Sequence, residues 1–208
     1  VFQLDGFLYR ACKWIYNLFL LNLLVLVNCI LIITVYPATA AGFAIVRQWL
    51  KGNDPPVLRT YYRYYRENFK QSLITGLVMT AVGVILYVDL RIAVHLQSSF
   101  NLIVILFFGI LTVIYSSAAV SLFPLMVHGY YTHGRLLVTS LKLGLYKFHL
   151  TFLNLVCLGA LLFVSLRFTF LLFFFFMSVC IFITYWFAER KFAQLWAAQQ
   201  QIADSHSA

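Results

Sequence analysis

The chain has 208 residues, 63% of them hydrophobic and only 10% charged, with a formal net charge of +9. A soluble domain carries about 25% charged residues, so too few polar side chains are present to clothe a water-facing surface, and lipid must be the solvent for most of it. A hydrocarbon core about 30 Å thick needs roughly 20 helical residues per crossing, which leaves room for five or six crossings and none for a further soluble catalytic or binding domain.

Charges mark the boundaries of the elements. No charged residue occurs from Trp14 to Val46, from Gln71 to Val88, from Ile92 to Gly134, from Phe148 to Leu166, or from Phe168 to Ala188. The first run is far longer than the apolar core of a secretory leader and lacks its early basic cluster, so it is read as retained in the membrane. A transmembrane β-strand alternates apolar and polar residues. These runs are apolar all round, which predicts helices. The expected fold class is therefore an all-α, polytopic transmembrane helical bundle.

Within the first run, Pro37 removes a helical hydrogen bond and crowds the preceding turn. It is expected either to kink a single crossing helix or to sit at a hairpin between two. A weak internal repeat bears on the choice. Thr34-Val35 and Ala40-Ala41 match Thr112-Val113 and Ala118-Ala119 at a spacing of 78. Leu58, Thr60, Arg63, Phe69 and Ser72 match Leu137, Thr139, Lys142, Phe148 and Thr151 at a spacing of 79. Internal similarity is a recognised feature of transport folds. If each unit carries a basic segment on the same side, the units are parallel and hold an even number of crossings.

The resulting expectation is one membrane domain over 1–208. A first repeat unit covers 1–91 and includes a cytoplasmic basic-aromatic segment at 51–70. A second unit covers 92–167, and 168–208 forms the last span and a cytoplasmic tail. This gives five spans, the C-terminus cytoplasmic and the N-terminus outside. It places Arg47, Lys51, Arg59, Arg63, Arg66, Lys70, Arg135, Lys142, Lys147, Arg190 and Lys191 in the cytoplasm, and Arg10, Lys13, Arg91 and Arg167 outside. Six spans would move Arg10 and Lys13 to the cytoplasm and sharpen the positive-inside bias. Five is preferred because 38–50 is short for a crossing and contains Arg47.

The most distinctive stretch, Arg59 to Lys70, reads R-T-Y-Y-R-Y-Y-R-E-N-F-K and follows the loop signal Gly52-Asn53-Asp54-Pro55-Pro56. On a helix, Arg59, Arg63, Arg66 and Lys70 form one stripe, and Tyr61, Tyr62, Tyr64, Tyr65 and Phe69 cover much of the remainder. Tyrosine favours the membrane–water boundary. The segment is read as an interfacial anchor that meets anionic lipid headgroups, and as a docking surface for a partner. Nucleic acid is not expected as a partner, since basic residues in a membrane protein gather in cytoplasmic loops.

Other polar groups are read structurally. Cys12, Cys29, Cys157 and Cys180 form no C-x-x-C pair and lie at no zinc-ligand spacing from a histidine. His128 and His133 are five apart, a poor spacing for a metal on one helix face, and are read as interfacial. Asn17, Asn22, Asn28, Asn101 and Asn154 are read as interhelical hydrogen-bond formers. Glu67 and Asp54 are isolated acids. No H-E-x-x-H, G-x-S-x-G, Walker-type loop or paired acidic site occurs, so no enzyme activity, cofactor or metal is expected.

Four stretches carry a family resemblance: F-Q-L-D-G-F-L-Y-R (Phe2 to Arg10), L-L-N-L-L (Leu20 to Leu24), P-A-T-A-A (Pro37 to Ala41) and R-E-N-F-K-Q-S (Arg66 to Ser72). Together they resemble the YesL-like family of bacterial integral membrane proteins over about the first 75 residues. The resemblance implies a setting beside carbohydrate-uptake systems and an accessory or regulatory role in an ABC-type oligosaccharide importer, in contact with its permease subunits, ATPase and solute-binding protein. It supplies no catalytic residues. An importer permease would carry an E-A-A…G coupling loop, which this chain lacks. The alternative reading is a small independent transporter or channel for an uncharged solute, which would need a polar cavity near Asn22, Asn28 and Asn154.

Overall fold

A computed structural model describes residues 6–30, 32–95, 101–129 and 132–207. Among these residues the chain forms eight α-helices and no strand. They are α1 (Phe7–Cys29), α2 (Val35–Leu50), α3 (Val57–His95), α4 (Asn101–His128), α5 (His133–Leu145), α6 (Phe148–Arg167), α7 (Thr169–Phe174) and α8 (Phe176–Ser207). Four stretches are long and apolar enough to cross a membrane: Tyr9–Cys29, Val57–His95, Leu102–His128 and Phe148–Arg167. Their outer faces carry large exposed apolar side chains, among them Ile85, Leu102, Ile110 and Phe163. Water would penalise such a surface and lipid accepts it. The protein is an all-α membrane helical bundle.

The first apolar run does not kink at Pro37. It breaks earlier, at Ile30 and a short 3-10 turn over Ile32–Thr34, and the chain reverses there. Trp14 meets Trp49 edge-on at 5.7 Å, and Val25 lies beside Gly42, so α1 and α2 are antiparallel. Pro37 falls in the first turn of α2, where an amide N–H has no intrahelical acceptor and proline is tolerated.

Counted from α1, the chain runs along the bundle six times among the described residues. Tyr36 meets Thr80 and Gln48 meets Tyr64, which sets α3 antiparallel to α2. The hydroxyl of Tyr115 donates to the Met79 carbonyl and fixes α4 antiparallel to α3. The α5–α6 pair returns along α4 and α8. Finally α7 and α8 run down beside α6, with Lys191 opposite Thr151.

Short α2, about 24 Å long at 1.5 Å per residue, is the innermost helix and touches α1, α3, α4 and α8. Its neighbours sheath it, so it need not match the bilayer alone. The N-terminal end of α1 shares the bundle end of the 51–56 loop, where Lys13 pairs with Asp54. The pairing sets Lys13 and Asp54 at one end of the bundle, whereas the five-span expectation put them on opposite sides.

The interior is close-packed by small residues. Ala38, Ala40 and Ala41 are fully buried on α2. A Cβ on Gly42 would come within 2.7 Å of Ile181 Cδ1, so α8 rests directly on the α2 backbone. Buried Ser72, Thr75 and Ser121 donate to carbonyls three or four residues earlier in their own helices, which satisfies them without a partner. Asn22 ties the first described helix to the last. Its Nδ2 donates to the Phe173 carbonyl at 2.7 Å, and its Oδ1 accepts from the Met177 and Ser178 amides. Those amides open α8 and have no acceptor within it.

Helices α2 and α4 run parallel, with Phe43 stacked on Phe123 at 6.0 Å and Arg47 donating to the Val127 carbonyl at 2.5 Å. These partners are 80 residues apart, close to the spacing of the sequence repeat.

Candidate functional site

The polar chemistry gathers at the end of the bundle that holds the 51–56 loop. Gly52 takes a φ of +79° to turn the chain out of α2, a conformation glycine adopts without steric cost. The Pro55-Pro56 pair then leads into α3 at Val57.

Helical periodicity splits the basic-aromatic segment into two faces. Arg59, Tyr62, Arg63, Arg66 and Lys70 face outward. Arg59, Tyr62, Arg63 and Arg66 line a shallow cavity of about 740 Å³ with Pro55, Pro56, Thr60 and Glu67. Arg63 lies over the Tyr64 ring at 5.1 Å and 4.0 Å from Glu67. That exposed i,i+4 pair contributes little to stability. Its side chains still leave a cluster of three guanidinium groups against one carboxylate.

Tyr61 is not part of this surface. It is fully buried, and its hydroxyl donates to the Ala38 carbonyl at 3.3 Å. The ring packs in the core with Leu21, Val25 and Tyr185. Tyr65 and Phe69 are half-buried and meet at 5.6 Å. The aromatic half of the segment is thus a root that holds the cationic half outward.

A second cavity, of about 520 Å³, lies between α2, α3 and α4. Its polar lining is Arg47, Tyr64, Glu67, Asn68, Gln71 and His128. Sequence reading did not assemble this group. It took Arg47 as a loop charge, Glu67 as isolated and His128 as interfacial, because the three lie on separate helices. Here Arg47 Nε and His128 Nδ1 are shielded from solvent and have no hydrogen-bond partner among the described residues. An unmet buried polar group costs about 1–3 kcal/mol. His128 is fixed by stacking on Phe192, with ring centroids 4.1 Å apart.

Lys191 is a third polar feature, in the part of α8 beyond its apolar stretch. It is 4% exposed. Its ammonium donates to Thr151 Oγ1 at 2.6 Å and to the Leu143 carbonyl at 3.4 Å, and Thr151 donates to the Gly144 carbonyl. The cation so closes the C-terminal end of α5, where helix carbonyls are unmet and a positive charge is favoured. Burial pushes its pKa down to about 8.

The remaining expected polar groups have local roles. Asn22 closes the start of α8, and Asn28 donates to Leu24 in its own helix. Asn154 is buried, with its Oδ1 unpartnered among the described residues. The side chains of Asn101 and His133, the Tyr130-Tyr131 pair and residues 1–5 lie outside the described set.

A helical membrane bundle with a cationic helix face at one end is the class these features define. The family described as "Protein of unknown function, DUF624" matches residues 18–90. The chain is 38% identical over 129 residues to the protein called "Uncharacterized protein YteU" of Bacillus subtilis, covering 59% of this chain and 57% of that one. It is 30% identical over 121 residues to "Uncharacterized protein YesL" of the same organism, covering 56% of each. Over these parts of its length the chain is similar to the YesL-like proteins. It spans less than two thirds of the length of either curated relative. No solved structure matches it.

Proposed function

We propose that this chain is a non-catalytic accessory or regulatory membrane subunit that acts by contact. In this reading it sits in a bacterial cell membrane with the basic end of the bundle, and both ends of the described chain, on the cytoplasmic side. The observation that carries the reading is the construction of the basic segment. Arg59, Arg63 and Arg66 share one outward cavity on a helix rooted by the buried Tyr61. Arginine and tyrosine on a rigid element are common interface anchors, and each basic residue near an anionic headgroup adds about 1 kcal/mol of attraction. The permease subunits of an ABC-type carbohydrate importer, with its ATPase and solute-binding protein, are the proposed partners. That assignment rests on the YesL-like setting.

The transporter alternative has less support. Of the three residues that would line its solute path, Asn22 is spent on bonds that close the start of α8 and Asn28 on one within its own helix, and only Asn154 keeps a buried, unpartnered Oδ1 among the described residues.

Purification in mild detergent from the native host, followed by mass spectrometry, tests the proposal. Permease and ATPase chains should be retained in fixed proportion and lost from the Arg59→Gln/Arg63→Gln/Arg66→Gln variant. A homo-oligomer free of importer chains overturns the accessory reading and moves the transporter reading to first place.

A further inference from the structure

We propose that the cavity between α2, α3 and α4 is a binding site for a single oxyanion, a phosphodiester or carboxylate, on a ligand that also carries hydroxyl groups. The inference is independent of the importer reading.

Its basis is an uneven distribution of hydrogen-bonding groups around one cavity. On the α2 and α4 side stand the donors. The guanidinium of Arg47 is held in place because it donates to the Val127 carbonyl at 2.5 Å. This leaves its Nε–H without an acceptor and shielded from solvent. His128 offers Nδ1, equally shielded and unpartnered among the described residues. A fixed guanidinium beside an imidazole suits an oxyanion, since charge-assisted hydrogen bonds are shorter and stronger than neutral ones.

On the α3 side stand the acceptors. Asn68 donates its amide to the Tyr64 carbonyl, so its Oδ1 is available. Glu67 brings a carboxylate to the rim. A second negative charge on the ligand would meet Glu67 unfavourably, while a hydroxyl would donate to it. Tyr64, whose hydroxyl accepts a hydrogen bond from Gln48 at 2.7 Å, adds to these acceptors a hydroxyl hydrogen that can be donated to the ligand. A volume of about 520 Å³ lies within the usual range for small-ligand sites, about 300–1,000 Å³.

Two sources could supply this chemistry. The cavity opens where the apolar stretch Leu102–His128 ends, the depth of lipid phosphodiesters. It is also partly open at the basic end of the bundle, from which a soluble hydroxy acid could enter.

The test is thermal unfolding of the full chain in nanodiscs. Three conditions are compared: phosphatidylcholine alone, phosphatidylcholine with glycerate, and phosphatidylglycerol. A ligand that binds only the folded state raises the unfolding midpoint, here by about 5 °C at saturating ligand. A rise with phosphatidylglycerol alone assigns the site to a headgroup, and a rise with glycerate assigns it to a soluble anion. In both cases the rise should vanish in His128→Leu and in Arg47→Lys, which keeps the charge but not the Nε–H. Should Arg47→Lys fail to fold, His128→Leu carries the test. No rise under either condition, or a rise that survives in the variants that fold, overturns the proposal.

Discussion

Helix α3 and the α5–α6 pair make the same journey from the basic end back through the bundle, and they do it differently. At the spacing of 79 that pairs Leu58 with Leu137 and Ser72 with Thr151, Tyr61, Tyr64 and Tyr65 correspond to Ser140, Leu143 and Gly144. Where α3 turns rings inward, α5 turns small or aliphatic groups. The rings fill a gap between α3, α1 and α2, so α3 runs unbroken for 39 residues. Without rings, α5 descends onto α4: a Cβ on Gly144 would stand 2.5 Å from the Ser117 carbonyl oxygen. A helix drawn in that far cannot continue straight along the bundle. The backbone breaks at Tyr146–Lys147, where Lys147 takes a left-handed φ of +47°, and α6 starts in a new direction. The bulk of three side chains thus decides whether a continuous helix or a broken one crosses.

The largest expected effect comes from removing the ring that keeps α3 at its distance. Tyr61→Ala should destabilise the folded bundle by about 4 kcal/mol, as expected for a fully buried aromatic, measured by equilibrium unfolding in mild detergent. Gly144→Val attacks the other half. Its new side chain meets backbone, not a side chain that can swing away, so a loss of about 3 kcal/mol is expected. If Gly144→Val is silent, close approach is not what separates the two halves.

A pH profile reads the end of α5 directly. Lys191 has a pKa lowered by burial to about 8, below its unfolded value, so between that pH and about 10.5 the unfolded chain binds more protons than the folded one. Stability should therefore rise with pH across this window, by up to about 1.4 kcal/mol per pH unit. Below it, the cost of burying the charge is fully present. Lys191→Met should flatten that rise, and an unchanged profile would show that Lys191 is not the group responsible. Lys147→Gly should stabilise by about 1 kcal/mol, since glycine accepts the left-handed conformation without a Cβ penalty. Asn68→Gly, at the matching position inside continuous α3, should weaken the helix by a few tenths of a kcal/mol. Smallest of all, Tyr62→Ala should change stability by no more than about 0.5 kcal/mol, although Tyr62 adjoins Tyr61 in sequence.

Much of this was legible in the residues. Uncharged runs marked the long helices, Pro55-Pro56 marked the entry to α3, and the alternating four- and three-residue spacing of Arg59, Arg63, Arg66 and Lys70 put them on one face. Pro37 misled because proline disrupts a helix only beyond its first turn. The actual break, at Ile30 and the turn Ile32–Thr34, carries no glycine, proline or asparagine to announce it. The split of α5 from α6 was hidden for a related reason: it follows from how near Gly144 lies to Ser117, a distance no local pattern contains. Which tyrosine faces inward depends on where α1 and α2 stand. The meeting of Arg47, Glu67 and His128 requires three helices to be placed at once.

The bonds made by Asn22 have a consequence for how the protein is made. Translation delivers α1 to the membrane long before α8, and roughly 150 residues must follow before the Phe173 carbonyl and the Met177 and Ser178 amides can reach it. Until then a polar amide waits in a nonpolar medium. The finished bundle is latched between the first and last of its described helices, so a ribosome that stalls before Phe173 leaves an open set of helices. Asn22→Leu should ease insertion of α1 while weakening the closed bundle, a trade visible as normal early membrane integration followed by faster proteolytic clearance.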